Sequence, residues 1–213
     1  MSEPARNRRE RHSRETIRRM IRDAALRLFV ERGTSSVSMG DIAERVGVTR
    51  ANLHYHFGTK GAVVEAVFSE HLQDVEAAYR AIWLDENSTL RQKTAATAAD
   101  CRARFYRFND GPRGTRPWSL SGQARFGGEQ LPDPVEHTLQ RFSKALERCV
   151  RSAVKQAVVR GELRPDAPVE SIVLLLTANI YFGPPITQYT GGIARLERHF
   201  AATAETVMAA YGT

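Results

Sequence analysis

The sequence has few of the residues that build catalytic, metal or disulfide sites. Its 213 residues include only 2 cysteines, Cys101 and Cys149, which are too few for a disulfide framework and are not spaced as metal ligands. No Gly-rich phosphate loop, HExxH pair or GxSxG turn occurs in the chain. We therefore expect no catalytic site, no metal and no cofactor, and we expect both cysteines to pack as small hydrophobic residues.

Long apolar runs and alternating β patterns are also missing. The most apolar stretch, residues 172–182, is short and contains Asn179, and the basic N-terminus is not followed by the apolar segment of a secretion signal. No segment alternates apolar and polar residues convincingly, and there is no internal repeat. These absences predict an all-α protein that has no contact with a membrane and resides in the cytoplasm.

The positive charge is concentrated near the N-terminus. The formal net charge is +7 at pH 7. Residues 1–60 contain 13 Lys and Arg against 7 Asp and Glu, whereas the remaining residues contain 18 against 17. Because a basic surface attracts an anionic partner, this distribution favours nucleic-acid binding by the N-terminal segment.

The N-terminal segment divides into an arm and a helix. Residues 1–14 are polar and rich in arginine, so they predict a flexible basic arm, because such a segment cannot bury enough apolar surface to offset the entropy lost on ordering. Apolar residues then recur at helical spacing from Thr16 until Gly33, a residue that commonly ends helices. This pattern predicts the first helix.

Two short helices separated by a tight break follow. Ser38 and Asp41 have the spacing of a capping box and predict a second helix over residues 39–46. Gly47 breaks the chain, and Thr49 caps a short third helix. This is the spacing of a helix-turn-helix, and we assign a three-helix domain to residues 15–60.

The rest of the chain, residues 61–213, has the pattern of a helical bundle. We expect the sequence Pro184-Pro185 to end the helix that starts near Val169. The expected helices, in order, cover about 59–83, 90–108, 119–126, 135–159, 169–182 and the residues from 193 onward. The predicted fold is all-α, with helix 4 joining the N-terminal domain to a C-terminal bundle.

The third helix carries side chains of two kinds. Leu53 and Phe57 are four residues apart and should face inward, which leaves Arg50, Ala51 and Asn52 outside. Arginine can donate to guanine, asparagine can pair with adenine, and alanine permits close approach or contact with a thymine methyl. Each good bidentate pair discriminates between bases by about 1–3 kcal/mol. The pattern predicts a helix that reads bases in the major groove.

Hydroxyl and cationic residues stand at the helix starts around it. Ser38 and Thr49 precede helices, where hydroxyls and free backbone N–H groups suit phosphate oxygens. Lys60 opposes the dipole of its own helix, a placement that favours a neighbouring phosphate over a merely solvated side chain. His54 and His56 are two residues apart and do not share a helix face, so we expect no metal site there.

Residues 38–60 resemble the TetR/AcrR family of transcriptional regulators. The family signature has a Thr before a helix, a Leu-Tyr-x-His-Phe-like run, and a Lys three residues after the Phe. Here these positions hold Thr49, the run Leu53 to Phe57, and Lys60. The resemblance covers about residues 15–70, extends weakly to the turn at 160–166, and departs at His54, where the family usually has Tyr.

The resemblance implies that the protein docks on a double-stranded DNA operator. Because His54 replaces the family's usual Tyr, we expect the operator sequence to differ from those of family members that have Tyr. Residues near bases would be Arg50, Ala51, Asn52 and His54, and those near phosphates would be Ser38, Thr49, Tyr55, His56 and Lys60. The arm, with Arg6, Arg8, Arg9, Arg11 and Arg14, either reaches a neighbouring minor groove or is a solvated tail.

The segment from Val169 is apolar nearly all round, because Leu174, Leu175 and Ala178 extend its main apolar face. A helix of this kind must be buried on two sides. We favour a homodimer formed as an intermolecular four-helix bundle, and the alternative is a fully internal helix. The predicted interface consists of Val169, Ile172, Val173, Leu176, Ile180, Leu196, Phe200 and Val207.

Aromatic residues in the middle helices favour a pocket for an unknown small-molecule effector, and Arg102, Arg104 and Arg107 are candidates to meet an acidic group on it. The alternative is core aromatics and solvated arginines. The predicted lining is Trp83, Phe105, Phe108, Trp118, Phe126 and Tyr181.

Together these features favour a repressor that an effector releases from a pseudo-palindromic operator. Two other classes stay open at this point. One is a sequence-tolerant architectural DNA-binding protein, and the other is a helical-bundle enzyme or carrier with a basic N-terminus.

Overall fold

The structure is a computed structural model that describes residues 3–128 and 130–213. These residues form nine α-helices and no strand, apart from an isolated bridge between Leu163 and Gly212. The all-α prediction is confirmed. The helices are α1 (Glu3–Arg32), α2 (Met39–Val46), α3 (Arg50–Phe57), α4 (Lys60–Trp83), α5 (Leu90–Phe105), α6 (Leu120–Phe126), α7 (Asp133–Val159), α8 (Val169–Thr190) and α9 (Gly192–Tyr211).

Helix α1 begins at Glu3 rather than near Thr16. Residues 3–14, which we expected to form a separate flexible arm, continue α1, and Met1 and Ser2 lie outside the described residues. The physical reason is that extending an existing helix adds one hydrogen bond per residue without a new nucleus, and Arg and Glu have high helix propensity. The proposed domain boundaries at residues 14 and 60 remain predictions.

The helix caps predicted around α2 and α3 are present. The Asp41 amide donates to Ser38 Oγ at 3.1 Å, and the Ser38 amide donates to Asp41 Oδ2 at 2.7 Å, which completes the capping box. Gly47 ends α2 with a φ of 78°, a left-handed conformation that favours glycine. Thr49 Oγ1 then accepts from the Asn52 amide at 3.1 Å and starts α3.

Helices α1 to α4 pack around a common apolar centre. Helix α1 contacts α2, α3 and α4, and α3 also contacts α2 and α4. The buried side chains include Ile21, Phe29, Ile42 and Leu53. Leu53 and Phe57 face inward as the i, i+4 pattern predicted.

Helices α4 to α9 form the C-terminal bundle. Helix α4 packs on α7, α7 on α8, α8 on α9, and α9 on α5. The core of the bundle includes Trp83, Phe105, Leu146 and Phe200, and it is continuous with the N-terminal core. With 24 residues α4 is about 36 Å long. It therefore connects the two parts of the molecule as a single rigid element.

Helix α8 passes through Pro184 and Pro185 and ends at Thr190, whereas we expected it to end before them. Proline in a helix interior removes a hydrogen bond and costs about 3 kcal/mol. Tertiary contacts offset this cost, because Pro184 is buried and Trp118 Nε1 donates to Thr187 Oγ1 at 2.8 Å.

The same helix is longer than its sequence pattern indicated. Among the described residues, the 21-residue stretch Val169–Tyr189 has the length and apolar composition that a membrane span requires. However, Ile172, Val173, Leu176 and Ile180 are buried against the protein's own helices. We therefore interpret α8 as a core helix of the bundle.

The predicted dimer-interface residues are not on the surface. Ile172, Val173, Leu176, Ile180, Leu196, Phe200 and Val207 are buried inside a single chain, and Val169 is partly buried against the same core. Side chains that are already covered in one chain cannot form the contact with a second copy. The exposed apolar residues of α8 are instead Leu174, Leu175, Phe182 and Tyr189.

Candidate nucleic-acid interface and ligand cavity

Helix α3 lies on the N-terminal domain with one face free. Arg50, Ala51, His54 and Tyr55 are exposed, and Asn52 and His56 are partly exposed. Because Leu53 and Phe57 anchor the opposite face, the free face is held in a fixed orientation. The structure therefore brings Arg50, Ala51 and His54 together on one accessible surface, whereas the side-chain oxygen of Asn52 is buried without a hydrogen-bond partner.

Arg50 at the start of α3 lies over Gly40 of α2. A Cβ atom added at Gly40 would come within 2.8 Å of the Arg50 guanidinium carbon. Glycine at this position thus leaves the space that the Arg50 side chain occupies between α2 and α3. The sequence pattern did not reveal this contact, because it joins residues of two different helices.

His54 is held by the C-terminal end of its own helix. Its Nδ1 lies 2.6 Å from the carbonyl oxygen of Gly58. Because a carbonyl only accepts, Nδ1 donates, and in the neutral ring Nε2 is left as a hydrogen-bond acceptor. A Tyr at this position, as in the family that residues 38–60 resemble, would place a hydroxyl here, which can also donate. His54 therefore presents a different hydrogen-bonding group on the exposed face of α3.

Two arginines of α1 support the C-terminal end of α3. Arg18 donates to the carbonyl oxygen of His56, and its guanidinium lies 4.3 Å from the centre of the Phe57 ring. Arg14 lies over the ring of Tyr55 at 5.4 Å. Burial, followed by the charges of Arg18 and Arg14, lowers the pKa of His56. His56 is therefore neutral at pH 7 in the chain by itself.

The residues predicted to contact phosphates differ in which hydrogen-bonding groups the protein already uses. The hydroxyl and the backbone amide of Ser38 both donate to Asp41 Oδ2, and these two hydrogen bonds lower the pKa of Asp41. Thr49 uses its oxygen as an acceptor, which leaves its hydroxyl proton free for a phosphate. Lys60 Nζ donates to the carbonyl oxygen of Ser35 at 3.3 Å and so also links α4 to the segment before α2.

A second candidate site is a narrow cavity of about 30 Å³ between α4, α5, α6, α7 and α8. Of the six aromatic residues predicted for a pocket, only Trp118 and Tyr181 line it. Trp83 and Phe105 are buried outside it, and Phe108 packs against the core. The sixth, Phe126, is exposed and lies 5.8 Å from the Phe182 ring.

The cavity includes residues that the sequence pattern did not single out. Tyr79, Phe142 and Arg125 line it together with Arg104 and His71. Each belongs to a helix that the sequence predicted, but only the packing of five helices shows that these residues meet. Arg104 was among the candidates for an acidic group, whereas Arg102 pairs with Glu197 at 3.0 Å and does not line the cavity.

Both cysteines are buried. Burial raises the pKa of the Cys101 thiol to about 12, and it also raises the pKa of Cys149. A protonated thiol is a weak nucleophile, so neither residue has the properties of a reactive site. This agrees with their expected role as small hydrophobic residues.

Comparisons with known proteins extend these observations. Residues 21–67 match the family model "Bacterial regulatory proteins, tetR family". The HTH-type transcriptional regulator AcrR of Shigella flexneri is 34% identical over 77 residues, which cover 35% of this chain and 36% of AcrR. The match to AcrR thus spans about a third of that protein. The HTH-type transcriptional regulator RutR of Escherichia coli is 27% identical over 196 residues, covering 89% of this chain and 86% of RutR.

Solved structures share the fold of nearly the whole chain. A TetR transcriptional regulator from Chloroflexus aurantiacus superimposes with a TM-score of 0.77 at 16% identity, covering 94% of this chain and 98% of that one. A complex of SmeT with triclosan gives a TM-score of 0.71 at 19% identity, covering 93% and 92%. Residues 21–67 therefore match the helix-turn-helix of the tetR family, and nearly the whole chain shares the helical architecture of solved TetR-family regulators.

Proposed function

We propose that this regulator is a cytoplasmic homodimer that represses transcription from a pseudo-palindromic operator and is released by a small-molecule effector. The observation that carries the proposal is the free face of α3. Its exposed Arg50, Ala51, His54 and Tyr55 lie on a helix with a capped N-terminus, in the part of the chain where positive charge is concentrated.

The proposed docking places α3 in the major groove, which is wide enough to admit an α-helix. Arg50, Ala51, Asn52 and His54 would face bases. The phosphate contacts would come from Ser38, Thr49, Tyr55, His56 and Lys60, and among these Thr49 has a hydroxyl proton that its cap does not use. Base contacts would set specificity, whereas phosphate contacts would set register and affinity.

The exposed apolar stripe of α8 supports the proposed dimer. Leu174 and Tyr189 are 70% and 82% exposed, and Leu175 and Phe182 are each about half exposed. Residues 174, 178, 182 and 189 recur near helical periodicity, so they form one stripe along the helix. A contiguous apolar surface of this kind marks an interaction site, and a second copy would cover it by pairing α8 and α9.

The position of the cavity supports control by an effector. It is lined by residues of α4, which starts directly after α3, and of α6, which contacts α1. A ligand that prefers one arrangement of these helices would shift the orientation of the two α3 helices in a dimer. The triclosan complex of SmeT shows that a similar fold holds a small molecule.

The test is selection of bound sequences from a random double-stranded DNA library, followed by salt titration on the selected site. We expect an inverted-repeat motif bound at least about a thousandfold more tightly than random DNA. Arg50→Ala should weaken binding and relax the preference at one position, while Lys60→Ala should weaken binding to all sequences and make the salt dependence shallower.

Two results would contradict the proposal. Binding without an enriched motif, which simply fades as salt rises, would support a sequence-tolerant architectural protein. Unchanged isotherms for both variants would contradict the proposed docking of α3.

A further inference from the structure

The cavity in the C-terminal bundle combines positive charge with aromatic faces. We propose that it binds a small aromatic carboxylate, whose carboxylate pairs with Arg125 and lies in the field of Arg104 while its ring packs among Tyr79, Phe142 and Tyr181. This proposal rests on the proposed effector function and names the chemical class of the effector.

The lining of the cavity is positively charged. Arg104 and Arg125 line the cavity, and no Asp or Glu is among the described lining residues. Arg104 has a carboxylate partner, Asp100, at 2.7 Å. Arg125 instead donates to the hydroxyl of Ser143 and lies 4.6 Å from the centre of the Tyr181 ring. The cavity therefore keeps a net positive charge that an anion would neutralise.

His71 responds to the same field. Burial lowers its pKa to about 4, and the positive charges of Arg104 and Arg107 act in the same direction. The imidazole is thus neutral at pH 7 and adds a hydrogen-bonding group without adding charge. A cationic ligand would meet repulsion here, whereas an anionic ligand would be attracted.

Aromatic side chains form much of the cavity wall. The rings of Tyr79 and Phe142 lie 6.4 Å apart at an angle of 33°. Trp118 is buried, and its hydrogen bond to Thr187 fixes the orientation of the indole. Flat apolar walls of this kind favour a flat ring, and an aromatic pair contributes about 0.5–1.5 kcal/mol beyond the apolar area that it buries.

The narrowness of the cavity links binding to regulation. A volume of about 30 Å³ holds a water molecule but not an aromatic acid, so a ligand must displace part of the wall. Helix α6, with 7 residues, is the shortest element that lines the cavity, and Arg125 joins it to α7 through Ser143. A carboxylate is a stronger hydrogen-bond acceptor than a hydroxyl. The ligand would therefore replace Ser143 as the acceptor for Arg125, and α6 would lose this hydrogen bond to α7. Because α6 contacts α1, this exchange reaches the DNA-binding domain.

The experiment is isothermal titration of the full-length protein with benzoate, cinnamate and indole-3-acetate, each compared with its primary amide at pH 7.5. The amide keeps the shape of the acid and removes the charge. We expect at least one acid to bind and its amide to bind at least tenfold more weakly. Arg125→Gln should weaken binding of the acid at least tenfold. Arg116→Gln is the matched control, because Arg116 is exposed and pairs with Asp110 outside the cavity.

Three outcomes would overturn the proposal: equal affinity for an acid and its amide, no binding by any of the three acids, or an unchanged affinity in Arg125→Gln. Operator binding by the same preparations separates the two proposals. Intact operator binding without acid binding would reject only the ligand class, whereas loss of sequence-specific DNA binding by the unmodified protein would reject the proposed function.

Discussion

At the scale of single residues, His71 is a partly buried base in a positively charged setting. Its pKa is about 4 in the folded chain, compared with an ordinary value of 6.5. Between these two values the unfolded chain binds more protons than the folded one, so stability falls as the pH is lowered. The loss should amount to about 2 kcal/mol between pH 7.5 and pH 5.

We therefore expect His71→Gln to remove most of this acid sensitivity. Urea unfolding of both proteins at pH 7.5 and pH 5 measures it, and the drop in unfolding free energy should be about 2 kcal/mol smaller in the variant. If both proteins lose the same free energy between the two pH values, His71 does not titrate in the way its burial indicates.

Around α3, the contacts that a local pattern predicts differ from those that it does not. The capping roles of Ser38 and Thr49 and the inward orientation of Leu53 were predictable, because each depends on neighbours within four positions along the chain. The contacts of Arg50 with Gly40 and of Arg18 with His56 were not predictable. They join residues of different helices, and no local pattern records them.

At the scale of elements, the break between α2 and α3 depends on the backbone of Gly47. Its φ is 78°, and a Cβ added there would meet no atom within 4 Å, so the only obstacle to alanine is conformational strain. We expect Gly47→Ala to reduce the free energy of unfolding by about 1–2 kcal/mol. Thermal or urea unfolding measures this loss.

Gly61 provides the matched control for that substitution. It lies in the first turn of α4 with ordinary helical backbone, and an added Cβ would only touch Thr59 Oγ1 at 3.7 Å. Gly61→Ala should leave stability unchanged or raise it by about 0.4–1 kcal/mol. Equal changes in unfolding free energy for the two substitutions would show that the break between α2 and α3 does not depend on the left-handed conformation of Gly47.

Two elements differ from their sequence pattern for the same reason. Residues 3–14 lack an apolar face but continue α1, and Pro184-Pro185 lies inside α8 rather than at its end. Both expectations considered only the residues of the segment and not the helices that it contacts. In the folded chain, a preformed helix supplies the nucleus in the first case, and burial of Pro184 with the Trp118 hydrogen bond offsets the proline cost in the second.

At the scale of the whole molecule, the two sides of α8 have opposite roles. Leu176 is 2% exposed inside the chain, whereas Leu174 is on the exposed side. On the basis of the proposed dimer, we expect Leu174→Glu to separate the two copies and to weaken operator binding at least tenfold, because a single recognition helix loses the second half-site. Sedimentation velocity and operator titration measure the two effects.

Leu176→Ala, only two positions away, is the contrasting variant. It should cost about 2–5 kcal/mol of stability through a cavity in the core and leave the proposed contact between copies unchanged. A dimeric Leu174→Glu protein would show that the exposed stripe of α8 is not the contact between copies.

Several features follow from near neighbours and from composition, and they can be read without any structure. These are the all-α class, the capped helix-turn-helix, the segregation of positive charge and the family signature around Thr49 and Lys60. The first two follow from hydrogen bonds and helical periodicity within a few residues, and the last two are properties of the order of residues itself.

Packing between distant segments selects the apolar side of α8 that is covered and the residues that line the cavity. A helix that is apolar nearly all round has no preferred inward face of its own, so packing against α7 and α9 selects Leu176 for the core and leaves Leu174 exposed. Arg104 and Arg125 likewise belong to separate helices. They share a cavity because five helices meet there, and that arrangement is set by the whole core rather than by any single segment.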